Sequence, residues 1–282
     1  MYLCNPLSCI IEEMFILEKL DYLINYLSKE NKEIRVNQIL QSIEDKKRIY
    51  RSLCNIRNAM PISKEYIKIE NEYLQEELKN KKITDVKNIE AINNPNFENS
   101  DKICLWKGDI TTLQIDAIVN AANSQGLGCF VPCHKCIDNQ IHSCAGIGLR
   151  LECNDKMKKI DILETGKAFI TKGYNLPAKF VIHTVGPIIY NEPTQKEKTE
   201  LMNCYINSLK LAKQNNMRTI VFPCISTGEF RFPKEEAVKC AIKSIQMYLK
   251  ENRESFDKIV FNLYSEEDLE IYEQYIKENY EN

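Results

Sequence analysis

No glycine precedes Gly108 and no histidine precedes His134 in this chain of 282 residues. Glycine enters left-handed backbone without strain. A glycine-free first hundred residues can therefore hardly build tight phosphate-cradling turns, whereas helices need none. A charge bias is also missing: 38 Lys and Arg stand against 40 Asp and Glu, a net charge of −2. No basic field draws in nucleic acid, and the lysine-rich stretches 79–82 and 156–159 read as solvated faces. A long apolar run with a basic start is absent as well. Residues 4–16 are apolar in places but carry Glu12 and Glu13, and they are too short to span a bilayer. No membrane partner is expected, the expected compartment is the cytoplasm, and most of the twelve cysteines are expected to be reduced. A monomer is expected.

What the first hundred residues do contain is helical periodicity. Ile16, Leu20, Leu23, Ile24 and Leu27 form one apolar stripe; Val36, Ile39, Leu40 and Ile43 form a second; Ile49, Leu53, Ile56 and Met60 form a third. Pro61 breaks the chain, and a charged helix is expected over 63–81. The turn formers of 93–100 suggest a linker. We expect a small helical domain over 1–100, acting as a scaffold, and a second domain over 101–282.

The second part alternates between two periods. Apolar runs of strand length lie at 103–106, 116–121, 168–171, 180–184, 219–223 and 259–263, and helical patterns at 137–158, 196–215, 234–251 and 266–280. Ser265 is placed to cap the last helix, with Leu269, Tyr272 and Ile276 facing inward. This pattern predicts an α/β sandwich with a largely parallel central sheet, and ligands at the carboxyl ends of the strands.

One loop stands out chemically. Between residues 129 and 136 lie Cys129, Cys133, His134 and Cys136, directly after the strand that ends Asn120-Ala121-Ala122-Asn123. Thiolates and imidazole are the donors zinc selects. Cys133 and His134 are chain neighbours whose side chains diverge, so the best trio is Cys129, His134 and Cys136. Three ligands leave a fourth tetrahedral position open, as in catalytic zinc sites. The alternatives are a closed site that includes Cys133, or thiols without metal.

The strand ends carry ordered motifs: Gly108-Asp109-Ile110-Thr111, Asn120-Ala121-Ala122-Asn123, Ala145-Gly146-Ile147, Thr165-Gly166, Ile182-His183-Thr184-Val185-Gly186-Pro187, and Pro223-Cys224-Ile225-Ser226-Thr227-Gly228-Glu229-Phe230. Together they resemble the macrodomain family of proteins that bind or hydrolyse ADP-ribose, over residues 101–282. The Cys/His insertion before Asp138, Ile141-His142 and Ala145-Gly146 is similar to that of the microbial zinc-dependent macrodomains, whose members also carry a helical N-terminal extension.

That resemblance implies a macrodomain-like three-layer α/β/α sandwich with a mixed, largely parallel central sheet, a Zn2+ cofactor, and removal of ADP-ribose from an ADP-ribosylated protein substrate. It implies that Asp109 accepts a hydrogen bond from the adenine amino group beside the N–H of Ile110. It also implies that Ser226, Thr227, Gly228, Glu229 and Phe230 cradle the diphosphate, and that Asn120 and Asn123 address the distal ribose. Asn262 and Tyr264 would edge the adenine pocket. Asp138 reads as general base, with Asn123 helping to orient the nucleophile, or alternatively as the cap of the helix that follows. His142 and His183 read as packed, hydrogen-bonded framework residues. An ADP-ribose-binding module with a structural zinc and a zinc-independent hydrolase remain the rival functions.

Overall fold

The computed structural model describes residues 6–30 and 42–280, with side chains from Met14 onward. Three helices come first: α1 (Pro6–Glu30), α2 (Ile43–Ile56) and α3 (Lys64–Lys79). Ser42 and Asp45 form a reciprocal capping box at the start of α2, and the Ser63 side chain accepts the Tyr66 N–H to start α3. Leu20, Leu23, Ile24 and Leu27 of α1 meet Tyr50 and Leu53 of α2 and Tyr66, Tyr73 and Leu74 of α3 in one core. Ile147 from the second part of the chain completes that core. Of the second expected stripe, Val36, Ile39 and Leu40 lie outside the described residues and Ile43 opens α2.

The rest follows as β1 (Thr84–Asp85), β2 (Ile103–Lys107), β3 (Leu113–Gln114), β4 (Ala117–Ala121), α4 (Ile137–Ala145), α5 (Ile147–Ile160), β5 (Ala168–Lys172), β6 (Phe180–Thr184), α6 (Gln195–Gln214), β7 (Thr219–Phe222), α7 (Lys234–Asn252), β8 (Lys258–Leu263) and α8 (Glu266–Tyr280). The main sheet has the order β2-β8-β7-β4-β6-β5, parallel throughout except for the antiparallel edge pair β5–β6. Alternation sorts its side chains. Ile118, Val221 and Val260 face α4 and α5, while Val119, Phe222 and Phe261 face α6, α7 and α8. The expected three-layer sandwich is therefore present, and every parallel strand ends on the same rim.

Two expectations change. The single helix expected over 137–158 is two helices broken at Gly146, which takes φ +90. A Cβ there would lie 2.9 Å from Glu70 Oε2 and from Leu74 Cδ1, so the close approach of α3 requires glycine and the break. The expected linker is packed. Phe97 is 1% exposed and stacks on Tyr280 at 4.6 Å between ring centroids. Upstream of it, β1 pairs with β3, and Val86 and Ile89 sit in the sandwich core, so residues 84–100 belong with the sandwich by packing.

Candidate functional site

The rim of the sheet gathers three segments. After β2, Gly108 lies so close to the Trp106 ring that a Cβ would come within 2.3 Å of it, and Asn262 at the end of β8 donates to the Gly108 carbonyl at 2.8 Å. These contacts fix the turn that presents Asp109. Its Oδ1 accepts from the Thr111 N–H at 2.9 Å and the Thr111 hydroxyl at 2.6 Å, which caps a short 3-10 turn. Oδ2 lies 3.8 Å from Lys81 Nζ, a residue just beyond α3. Ile110 is buried beneath this turn, and Tyr264 is 84% exposed on the neighbouring strand end.

After β7, the chain turns at Ser226, a non-glycine residue at φ +67. A Cβ on Gly186, at the exit of β6, would lie 1.9 Å from Ser226 Oγ, so Gly186 is what lets this loop seat. The loop closes on itself: the Phe232 N–H donates to Ser226 O at 2.9 Å and the Thr227 hydroxyl to Cys224 O at 3.0 Å. Nothing lies within 4 Å of a Cβ built on Gly228, so the loop backbone faces open space there. Ser226 Oγ is buried with no hydrogen-bond partner among the described residues. Phe230 is half-buried and its carbonyl accepts the Ile189 N–H. Glu229 is 73% exposed, with its carboxylate 3.5 Å from His134 Nε2, so it turns toward the Cys/His loop.

After β4, the amide of Asn123 donates to Gly128 O at 3.2 Å and lies 3.5 Å from Asp138 Oδ2. Asn120 is wholly buried, and its Oδ1 has no hydrogen-bond partner among the described residues. Its Nδ2 donates to Asp138 Oδ1 at 2.7 Å and sits 3.1 Å from His183 Nδ1. Alternation along β4 points this residue at α4, so it orients Asp138. Asp138 itself lies inside α4, and the N-cap is Cys136, whose sulfur accepts the Asn139 N–H at 3.4 Å. The capping role considered for Asp138 is therefore taken by a cysteine. Burial pushes the Asp138 carboxyl up to about 6, against the opposing pull of Asn120 and Arg150.

The donors of Cys129, His134 and Cys136 all lie within 4.8 Å of one another, with Cys129 Sγ 3.7 Å from His134 Nδ1. Cys133 does not join them. It takes φ +51, and its thiol donates to the Arg48 carbonyl at 3.4 Å. Burial pushes the Cys136 thiol up to about 12, and the nearby Cys129 and Asp138 add to it. A cation bound beside the thiol would reverse the sense of that shift. His142 and His183 are both buried, but only His183 is hydrogen-bonded as expected: both ring nitrogens of His142 are buried without a hydrogen-bond partner among the described residues. His183 stacks on Phe169, has Thr171 Oγ1 2.9 Å from Nε2, and has its proton affinity lowered by burial to about 3. With Cys153 these histidines form a second buried group of potential donors. Gly128, at φ +85, lets the His142 ring pack against the start of the loop, where a Cβ would come within 2.8 Å.

Sequence reasoning missed the helical region's share of the site. Arg51 and Asn55 of α2 contact the Cys/His loop, and Lys81 reaches Asp109. The signal was available in part: Arg48, Arg51 and Asn55 are spaced to share one face of a helix. What they face is not written locally.

A family model described as the Macro domain matches residues 119–241. A protein of Staphylococcus aureus strain MSSA476 named protein-ADP-ribose hydrolase is 44% identical over 258 residues, covering 91% of this chain and 94% of its own. A protein of Treponema medium with the same name is 43% identical over 256 residues, covering 90% and 97%. Among solved structures, a Trypanosoma brucei macrodomain in complex with ADP-ribose superposes with a TM-score of 0.63 at 29% identity, covering 77% of this chain and 92% of that one.

Proposed function

The chain belongs to the macro domain family, and on that premise we propose that it is a hydrolase that removes ADP-ribose from modified proteins, with zinc held by Cys129, His134 and Cys136. Relatives that span nine-tenths of the chain carry the name of this activity, which supports the reaction class. The observation that carries the metal reading is the donor set. Two sulfurs and an imidazole nitrogen converge within 4.8 Å on one loop, while the third thiol of that loop turns away to a backbone carbonyl. Such a set fits zinc and leaves one tetrahedral position for substrate.

In this reading Asp109 and Ile110 take the adenine, the backbone N–H groups of 226–230 take the diphosphate, and Asn123 takes the distal ribose. A phosphate cradle of backbone N–H groups needs no net positive charge. The unpartnered Ser226 hydroxyl is a further donor at that end. Held at both ends, the bond between the anomeric carbon and the modified side chain is fixed beside the Cys/His loop. When bound, zinc supplies Lewis-acid chemistry at that bond. Water adds to the anomeric carbon as the bond to the protein breaks; its proton passes to Asp138 and the departing side-chain atom takes a proton in turn, leaving free ADP-ribose and the unmodified side chain. A carboxyl raised to about 6 and oriented by Asn120 is suited to proton transfer near neutral pH.

The reading is tested by metal analysis of the purified protein together with an assay on an ADP-ribosylated protein. About one zinc per chain and release of free ADP-ribose are expected. Binding of ADP-ribose without release would make the protein a reader, and release by a protein holding no zinc would make it a metal-independent hydrolase.

A further inference from the structure

The Cys/His loop has little to hold its own shape. Residues 129–136 contain no helix or strand, one of them sits in left-handed backbone, and one backbone hydrogen bond, from the His134 N–H to Val131 O at 3.2 Å, lies within the loop; further contacts that pin it come from elsewhere. Many of them come from a single face of α2. The Arg48 carbonyl accepts the Cys133 thiol at 3.4 Å. The Arg51 guanidinium donates to the His134 carbonyl at 3.0 Å and, through Nε and Nη2, to Asn139 Oδ1 at 3.2 and 2.7 Å. Asn55 Oδ1 accepts the Cys133 N–H at 2.8 Å, and its Nδ2 donates to Ser143 Oγ at 3.1 Å. Asn139 is the relay. It is wholly buried, its Nδ2 donates to Val131 O at 2.9 Å, and its backbone N–H donates to Cys136 Sγ. Arg150 of α5 closes the frame from the other side. It donates to the Leu127 carbonyl and to those of Cys54, Asn55 and Arg57, which are the last carbonyls of α2 and its cap.

We propose that α2 is a built part of the metal loop, with Arg51 and Asn55 as positioning residues that hold His134 and Cys136 at ligating separation. The proposal rests on the zinc reading above for its functional consequence. A planar fork bonded to both the His134 carbonyl and the Asn139 side chain ties one ligand's backbone to the residue that caps the other ligand's sulfur, and a lysine cannot reproduce that geometry. Outer partners of this kind orient ligands, and their loss lowers metal affinity by about 10- to 100-fold. The helical region is thereby a component of the site as well as a scaffold.

The test uses the full chain in four forms: parent, Arg51→Ala, Asn55→Ala and Arg51→Lys. Lys46→Ala serves as a control, since it loses the α1–α2 ion pair with Asp21 without touching the loop. Zinc transfer to a chelator is expected to quicken by about tenfold or more in Arg51→Ala, by less in Asn55→Ala, and by an intermediate factor in Arg51→Lys. Hydrolysis should fall in kcat while the ADP-ribose dissociation constant stays within about threefold. Amide exchange, measured on chelator-treated protein, should quicken most at Asn139 in Arg51→Ala, whose guanidinium holds that side chain, and most at Cys133 in Asn55→Ala, which removes the acceptor of that N–H, and should stay at the parent rate at both in Lys46→Ala. The exchange readout needs no metal: a parent without zinc sinks the function proposed above while exchange still judges the clamp. Exchange unchanged in both Arg51→Ala and Asn55→Ala overturns the clamp, and so does an equal increase in Lys46→Ala. Should Arg51→Ala fail to fold, Asn55→Ala and Arg51→Lys carry the same comparison.

Discussion

At the loop after β7, which is proposed to take the diphosphate, shape comes from backbone: Gly186 admits Ser226 against the exit of β6, the Arg231 N–H donates to Gly228 O at 2.9 Å, and a Cβ on Gly228 would meet nothing within 4 Å. At the Cys/His loop, which is proposed to hold zinc, residues 129–136 take theirs from side chains of α2, α4 and α5, two of them contributed by a region that has its own hydrophobic core. The difference teaches where each half is vulnerable. A backbone cradle is lost only when the fold is lost, whereas a side-chain clamp is lost one residue at a time. Binding of ADP-ribose and its hydrolysis should therefore separate under mutation.

The largest separation is expected for Cys136→Ser. A serine hydroxyl still caps α4, so the fold is spared, but it is a poor zinc ligand. Hydrolysis of an ADP-ribosylated protein should fall about a thousandfold or more, with ADP-ribose binding changed only a few-fold by calorimetry. Equal loss of binding and hydrolysis would mean that the two ends are one unit.

Next in size is a pH effect on the joint between the regions. Glu70 is 1% exposed, accepts from Tyr50 Oη at 2.7 Å and from the Ile147 N–H at 2.9 Å, and has its carboxyl pushed up from 4.5 to about 7 by burial. The folded state thus holds a proton that the unfolded chain has already lost between these values. The stability is present below about 4.5 and is lost as pH rises through about 7, a change of roughly 3 kcal/mol. Urea melts at acid and neutral pH should show that slope in the parent and a flatter one in Glu70→Gln. An identical slope in both would remove Glu70 as its source.

A smaller effect, confined to the backbone-built side, is expected for Asp109→Ala. Loss of one adenine hydrogen bond should weaken ADP-ribose by about 1–3 kcal/mol, or roughly 5- to 150-fold, with zinc content unchanged. The Thr111 cap is lost as well, so a melt must accompany the titration. Unchanged affinity in folded protein would take Asp109 out of the site. Smallest of all is Cys133→Ala. It should keep zinc and hydrolysis within about twofold, since the thiol bonds to Arg48 O outside the donor trio. Zinc loss equal to that of Cys136→Ser would establish a closed site with four ligands.

The same contrast explains what was legible in the chain. The sandwich was readable because strand and helix periods alternate over 103–280, and its elements fall within a few residues of expectation. Ser265 caps α8, and Tyr272 and Ile276 face inward as expected. The donor trio was readable because it lies within eight consecutive residues. What escaped depends on contacts distant in the chain. Gly146 breaks a helix because Glu70 and Leu74 arrive from α3. Phe97 hides among turn formers but stacks on Tyr280. Asn120 lies near the end of a strand, and the contact of its amide with Asp138 is set by pairing and pleat. Arg51 and Asn55 mark a polar helix face, and nothing within α2 says that the face meets the Cys/His loop.

The most direct test of a separable metal half is one protein measured in two states. After zinc is stripped by a chelator and its removal verified, ADP-ribose should bind within about threefold of the untreated protein, while release of ADP-ribose from a modified protein falls by about a thousandfold and returns on adding zinc. Full hydrolysis by the verified zinc-free protein would contradict the account.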